Sequence, residues 1–174
     1  MSNNERNIIL IGFRGTLKTT ISKLLGNKLK RSVYSTDKII EEQERKNISS
    51  IVEKNGWEYF RDVESKVLSE TLGKKNIILD CGGGIILRKE NCELIQNSNS
   101  FIVLLEANAS DIERRISQDM NRVRFNPDIS LHQEIESEIQ KRKSFYHSVA
   151  QAIFNTSTLK KTEIVEMIAR QFLQ

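Results

Sequence analysis

Gly12-Phe13-Arg14-Gly15-Thr16-Leu17-Lys18-Thr19-Thr20 has the residue types and spacing of a loop built to hold phosphate. In such a loop, successive backbone N–H groups and the N-terminus of the next helix point at an anion. Lys18 would neutralise the terminal phosphates and Thr19 would offer a hydroxyl to a magnesium ion. Gly12, Arg14, Gly15, Thr16, Leu17, Lys18, Thr19 and Thr20 are therefore the candidate nucleotide-binding residues. The residue before the lysine is Leu17 where a glycine is expected. If that position demands positive φ, leucine costs about 1–3 kcal/mol, equivalent to roughly a tenfold to hundredfold loss of nucleotide affinity unless the loop is reshaped. The bland alternative is a glycine-containing turn with no ligand.

The flanking elements favour the phosphate loop. An apolar run, Asn7-Ile8-Ile9-Leu10-Ile11, leads into it, and apolar residues at helical spacing (Ile21, Leu24, Leu25, Leu29) lead out. Further along, short apolar runs alternate with longer amphipathic stretches, the pattern of a parallel sheet covered by helices. Strands are predicted at Ile8–Ile11, Ser32–Ser35, Ile77–Asp80, Phe101–Leu105 and Ala152–Asn155, most of them buried because their apolar residues are continuous. Helices are predicted at Thr19–Lys30, Thr36–Glu44, Ile48–Asn55, Glu58–Leu72, Lys89–Gln96, Asp111–Ser117, Leu131–Lys143 and Lys161–Phe172. Gly56 and Gly73 occupy helix C-terminal positions, and Ser110 with Glu113 has capping-box spacing. The segment Gln118–Ser130 is polar, holds the only proline (Pro127), and carries Arg122 and Arg124. It reads as a mobile flap over a nucleotide site or as an ordinary surface loop.

Composition bounds the function. A chain of 174 residues fits one domain, 1–174, with a sizeable core. The net charge of +4 is spread among acidic residues, without the basic stripe and interleaved aromatics of a nucleic-acid binder. Cys81 and Cys92 make neither a disulfide framework nor a metal cluster, which fits a reducing, cytoplasmic compartment. The polar Met1–Arg6 stretch is unlike a signal peptide, and no apolar stretch has membrane-spanning length.

Four further segments carry chemistry: Ser35-Thr36-Asp37 after the second strand, Phe60-Arg61-Asp62-Val63-Glu64 within a helix, Gly82-Gly83-Gly84 after the third strand, and Arg142-Lys143-Ser144-Phe145-Tyr146 at a late helix end. With the phosphate loop and the Arg124 segment, this ordered set resembles the shikimate kinases over nearly the whole chain. The run Thr36-Asp37, Ile39, Ile40, Glu41, Ser50-Ile51, Gly56, Phe60-Arg61 and Glu64 strengthens the likeness. The resemblance implies a nucleoside-monophosphate-kinase-like P-loop kinase, three α/β/α layers around a five-stranded parallel sheet, with a mobile lid at about 118–130. It implies ATP- and Mg2+-dependent phosphorylation of the 3-hydroxyl of shikimate, a step towards chorismate and the aromatic amino acids, by a monomer whose partners are small molecules. It also implies residue roles. Lys18, Asp37 and Arg124 would be catalytic, with Asp37 binding the acceptor hydroxyls and accepting the proton. Arg61 and Arg142 would hold the shikimate carboxylate, and the Gly82, Gly83 and Gly84 backbone would line the same pocket. Arg124 would reach the transferring phosphoryl group from the lid, while Arg115, Asn155 and Thr156 would lie near the adenine.

Physical chemistry agrees with those roles. Two guanidinium forks suit a planar carboxylate better than lysines would, and glycines let a polyol ring approach the main chain. A carboxylate beside the attacking hydroxyl orients it and takes its proton late. An arginine on a flap adds charge only on closure. Each residue also has a plain structural reading: Asp37 as a helix N-cap, Arg61 as a salt-bridge partner of Glu58 or Glu64, Arg142 as a cation at a helix end, and Gly82–Gly84 as a tight turn. His132 and His147 read as surface residues and Trp57 as partly core.

The chain departs from the family pattern at Leu17, at Ser35 in place of the first aspartate of Asp-Thr-Asp, and at Phe125 where proline is usual. Ile77-Ile78-Leu79-Asp80 is an apolar strand ending in aspartate, the arrangement of a Walker B segment. Asp80 therefore joins Thr19 as a candidate metal residue. Three functions compete: an active shikimate kinase, a catalytically weak or silent nucleotide-binding relative, and a kinase of another small hydroxy acid.

Overall fold

The structure, a computed structural model, describes residues 5–117, 126 and 128–174. Among these residues, five strands form one parallel sheet: β1 (Ile8–Ile11), β2 (Ser32–Ser35), β3 (Ile77–Asp80), β4 (Phe101–Glu106) and β5 (Ala152–Asn155). Their order is β2-β3-β1-β4-β5, so the strand entering the phosphate loop lies at the centre with β3 and β4 on either side. The helices are α1 (Lys18–Leu29), α2 (Thr36–Glu44), α3 (Ile48–Leu72), α4 (Lys89–Asn97), α5 (Ala109–Ile116), α6 (Leu131–Val149) and α7 (Lys161–Leu173).

Side-chain alternation along the central strands creates the layers. Ile8 and Leu10 of β1, with Val103 and Leu105 of β4, pack with Ile21 and Leu25 of α1 and Ile164, Ile168 and Phe172 of α7. Ile9 and Ile11, with Ile102 and Leu104, face the other way onto Leu68 of α3, Ile95 of α4 and Tyr146 and Val149 of α6. Both faces of the sheet are thus covered, which is why β1 reads as an unbroken apolar run. A third cluster, Ile40, Ile51, Val52, Phe60 and Val67, binds α2 to α3. A fourth, Phe13, Ile112, Ile116 and Ile135, ties the phosphate loop to α5 and α6.

All five strands and the helices fall where the periodicity predicts, with instructive shifts. The two helices expected on either side of Gly56 run as one, interrupted only there, where φ is 85° and ψ is 168°. Gly73 does cap α3, though in the right-handed rather than the left-handed conformation. α5 begins earlier than expected: Asn108 is its N-cap, so Ser110 lies inside the first turn and makes no capping box. The box belongs to α6, where Ser130 Oγ accepts from Gln133 N–H and Gln133 Oε1 accepts from Ser130 N–H, both at 3.1 Å. α6 also continues six residues beyond the expected Lys143, because Ile135, Arg142, Tyr146 and Val149 form one buried stripe. β2, an edge strand, is partly exposed rather than buried. No helix among the described residues is long and apolar enough to cross a membrane.

Candidate active site

The loop between β1 and α1 takes its shape from glycines. Gly12 and Gly15 both have positive φ, 144° and 80°. A Cβ on Gly12 would land on the carbonyl oxygen of Leu105, and one on Gly15 would come within 3.0 Å of Ile116 Cγ2. The loop therefore packs against β4 and α5 as closely as backbone allows. Thr16 Oγ1 donates to the Phe13 carbonyl at 2.8 Å, and Lys18 Nζ donates to the carbonyls of Gly12 and Phe13 at 2.8 and 3.0 Å. The ammonium thus lies across the loop concavity.

Leu17 is the awkward residue the sequence suggests. It is the N-cap of α1 with φ 67° and ψ 19°, the left-handed region that costs a side-chain-bearing residue about 1–2 kcal/mol. Its side chain is half-buried against the core cluster that includes Ile21 and Leu25. That packing offsets part of the strain and explains how the loop carries leucine.

At the other end of the sheet's carboxyl edge, Asp37, Arg61, Glu64, Gly82, Gly83, Gly84 and Arg142 converge. A Cβ on Gly82 would strike Asp37 Oδ1 and stand 2.8 Å from Glu64 Oε1, and one on Gly84 would overlap the Arg61 guanidinium. Gly82 N–H donates to Thr36 Oγ1 at 2.8 Å, locking the glycine turn to the start of α2. The N-cap of α2 is Ser35, so Asp37 is in the first turn and is not the cap. Arg61 Nη1 meets Glu64 Oε2 at 2.5 Å, and the Arg61 guanidinium also sits 5.3 Å from the Trp57 ring centroid. The salt-bridge reading of Arg61 is therefore correct for Glu64, while Glu58 pairs with Arg88 instead. Arg142, buried on α6, pairs with Glu138 and donates to the Gly83 carbonyl at 3.4 Å. Tyr146 O–H donates to the same carbonyl. Lys141 is occupied by Glu138 at 2.9 Å.

Burial sets the electrostatics. Desolvation pushes the Asp37 carboxyl above its ordinary range, opposed by Lys18 and Arg61 and reinforced by Asp80 and Glu41. Glu64 is likewise raised by burial, against Arg61. Asp80 is raised by burial despite Lys18 and the hydrogen bond from Thr19. Glu138 goes the other way: burial raises it, but hydrogen bonds from Lys141 and Arg142 win and lower it.

Asp80 lies under the phosphate loop. Thr19 Oγ1 donates to Asp80 Oδ2 at 2.6 Å, and Asp80 is 4% exposed. Ser35 is its cross-strand partner on β2, about 4.8 Å away by the spacing of neighbouring strands. Among the described residues no cluster of three or more His, Cys, Asp or Glu groups forms a metal site.

On the other flank, Arg115 of α5 donates to the Gly15 carbonyl, to Thr156 Oγ1 and to the Thr156 carbonyl, each at 3.0 Å. Arg115, Thr156 and the neighbouring Asn155 are therefore assembled beside the loop. Of the expected set, Arg124 lies outside the described residues, as do Arg122, Phe125 and Pro127. His132 and His147 are partly exposed and face Glu113 and Glu106 at 2.9 and 2.7 Å.

Sequence reasoning missed Glu134. This glutamate of α6 is 2% exposed, and its Oε1 lies 2.7 Å from Arg14 Nη2 across 120 residues of chain. No local motif marks it. The only sequence signal is a charged residue next to Ile135 on the buried stripe.

The loop, Arg61, Arg142 and the glycine turn are thus brought to the carboxyl edge of one sheet. A shikimate kinase family model matches residues 14–173. The chain belongs to the shikimate kinase family. It is 38% identical over 164 residues to the shikimate kinase of Dehalococcoides mccartyi strain BAV1, covering 94% of this chain and 92% of that protein. It is 34% identical to the shikimate kinase of Syntrophus aciditrophicus, covering 98% and 92%. The structure of shikimate kinase from Acinetobacter baumannii in complex with shikimate superposes with a TM-score of 0.91 at 27% identity, over 98% of this chain and 94% of that one. The fold is thus that of a P-loop kinase, and membership of this ATP-using family implies a nucleotide substrate. A gluconokinase from Sinorhizobium meliloti, 12% identical with a TM-score of 0.61, shares the fold alone.

Proposed function

We propose that this chain transfers the γ-phosphoryl group of ATP to the 3-hydroxyl of shikimate. The observation that carries this reading is the packing of Arg61 against Gly84 and of Asp37 against Gly82, beside the phosphate loop. It gathers a carboxylate, Asp37, and two guanidinium groups, Arg61 and Arg142, around the Gly82–Gly84 turn.

In this reading Arg61 and Arg142 receive the acceptor's carboxylate, each held ready by its own glutamate, Glu64 and Glu138. The main chain of Gly82–Gly84 meets the ring oxygens. Asp37 binds the hydroxyls and takes the proton as the oxygen attacks; its raised affinity for a proton suits that task. Lys18 turns from the Gly12 and Phe13 carbonyls to the phosphates, and loop N–H groups from Gly12 to Thr20, with Arg14, surround the rest. Arg115, Asn155 and Thr156 flank the adenine, and Arg124 supplies charge to the transferring group.

The residues present fit a magnesium ion. Mg2+ takes hard oxygen donors, usually one or two carboxylates with substrate phosphates and water, and the Thr19 hydroxyl and the Asp80 carboxylate lie together at the loop. These two would hold it, and when bound the ion neutralises charge on the β- and γ-phosphates. Asp80 would serve here because position 35 holds serine.

The test is ADP release coupled to a reporter, with shikimate, quinate and gluconate as acceptors. Release with shikimate at a kcat/KM at least about a hundredfold above the others is expected. Equal turnover of gluconate would move the assignment to another hydroxy acid. ATP binding without release for any acceptor would make the chain a silent relative.

A further inference from the structure

Helix α6 carries three charged residues one turn apart on its inner side, Glu134, Glu138 and Arg142. Glu138 is spent on Arg142, on the acceptor side. Glu134 reaches instead to the phosphate loop, where its Oε1 accepts from Arg14 Nη2 at 2.7 Å. Its other oxygen, Oε2, accepts from the backbone N–H of Asn126 at 3.2 Å. Arg14 stands at a seam: its backbone nitrogen is 3.1 Å from a Cβ built on Gly83, so the phosphate loop and the acceptor glycines touch there. Beside it, two guanidinium groups approach the Phe13 ring, Arg14 at 5.6 Å and Arg142 at 5.2 Å from its centroid.

A buried ion pair is a poor way to gain stability, because desolvating both charges offsets most of their attraction and an apolar pair of similar volume does as well. Its distinctive effect is to fix a direction. The Arg14 side chain is 15% exposed and Glu134 is 2% exposed, so the pair holds the guanidinium of this loop residue in one place.

We propose that Glu134 is a positioning residue that aims Arg14 at the nucleotide phosphates. This rests on the reading of Gly12–Thr20 as an ATP-binding loop, and it adds to that loop a carboxylate 120 residues away in sequence. Glu134 acts through Arg14 and touches no substrate itself.

The test measures affinity for a non-hydrolysable ATP analogue with Mg2+ by calorimetry, for the parent protein, Glu134→Gln, Glu134→Asp, Arg14→Met and the Glu134→Gln/Arg14→Met double variant. Glu134→Gln and Arg14→Met should each weaken binding about tenfold, and the double variant should be no weaker than either, since both remove one interaction. Glu134→Asp, which keeps the charge, should restore most of the loss. The ATP KM should rise with Glu134→Gln, while shikimate affinity without nucleotide stays within about twofold. Parent-like affinity in Glu134→Gln despite a lowered melting temperature would make the residue structural and overturn the proposal. Losses that multiply to about a hundredfold in the double variant would do the same. Should Glu134→Gln fail to fold, Arg14→Met decides alone, with unchanged affinity overturning the proposal. A parent protein that binds no nucleotide would instead sink the reading of the loop.

Discussion

The two halves of the site are made from different material. The nucleotide half is mostly backbone: glycines at positive φ, N–H groups of the loop and one lysine folded across its own carbonyls. The half proposed for the acceptor is mostly side chains already held in place: Arg61 paired with Glu64, Arg142 with Glu138, and Asp37 against Gly82. Phosphate looks the same in every substrate, so main-chain donors suffice. The proposed acceptor, a carboxylated ring, would have to be told from its analogues, a task for rigid forks at fixed positions. In that reading, side-chain changes on the acceptor half should act on the acceptor constants, and the nucleotide half should be sensitive mainly at its few charged side chains.

The largest effect should come from the one nucleotide-side charge that the loop geometry centres. Lys18→Met should lower kcat about a thousandfold in steady-state assays; a loss under tenfold would show that backbone donors alone carry the phosphate. Next, Arg61→Met should raise the shikimate KM by about a hundredfold, leaving the ATP KM within twofold, because Glu64 is left buried without its partner. An equal rise in both constants would erase the division between the halves. Then the metal candidates: Asp80→Asn should weaken Mn2+ binding in the presence of ADP, measured by electron paramagnetic resonance, and reduce Mg2+-dependent turnover about tenfold or more. Ser35→Ala should do neither, and equal small effects would remove Asp80 from the metal.

Smaller effects concern stability. Asp37, Glu64 and Asp80 all have folded-state pKa values raised by burial. The native state therefore holds their protons more tightly, and each stabilises most below the ordinary carboxylate pKa of about 4, a contribution lost as pH rises through the folded value. Asp37→Asn should thus melt at a higher temperature than the parent at pH 7, with the gap closing towards about pH 4. A gap that widens in acid would mean that Lys18 and Arg61 outweigh desolvation at Asp37. Last, Leu17→Gly relieves the left-handed leucine but loses its packing and adds chain entropy, so stability should change by less than about 1 kcal/mol. The ATP KM should fall, and an unchanged value would show that packing has fully accommodated the side chain.

Much of this was legible from residues alone, and the reason is local. β1, β3 and β4 are continuous apolar runs because they lie inside the sheet, and the loop motif works through neighbours a few bonds apart. Where context mattered, local signals misled. Ser110 has capping-box spacing, yet α5 starts at Ala109, and Ser130 caps α6 instead. The end of α6 looks polar and mixed at Lys143–His147, and the helix persists to Val149 because Tyr146 and Val149 pack on the sheet.

The sequence by itself determined the strand–loop–helix unit, the sheet class, the family and the residue types at the site, since these depend on periodicity and short spacing. Only the tertiary structure decided that Asp80 meets Thr19, that Leu17 is left-handed, and that Glu134 finds Arg14. The first two had local hints, an apolar strand ending in aspartate and a leucine where a glycine is expected, but the contacts depend on which strands become neighbours and on burial; the Glu134 partner 120 residues from Arg14 left no mark in local spacing.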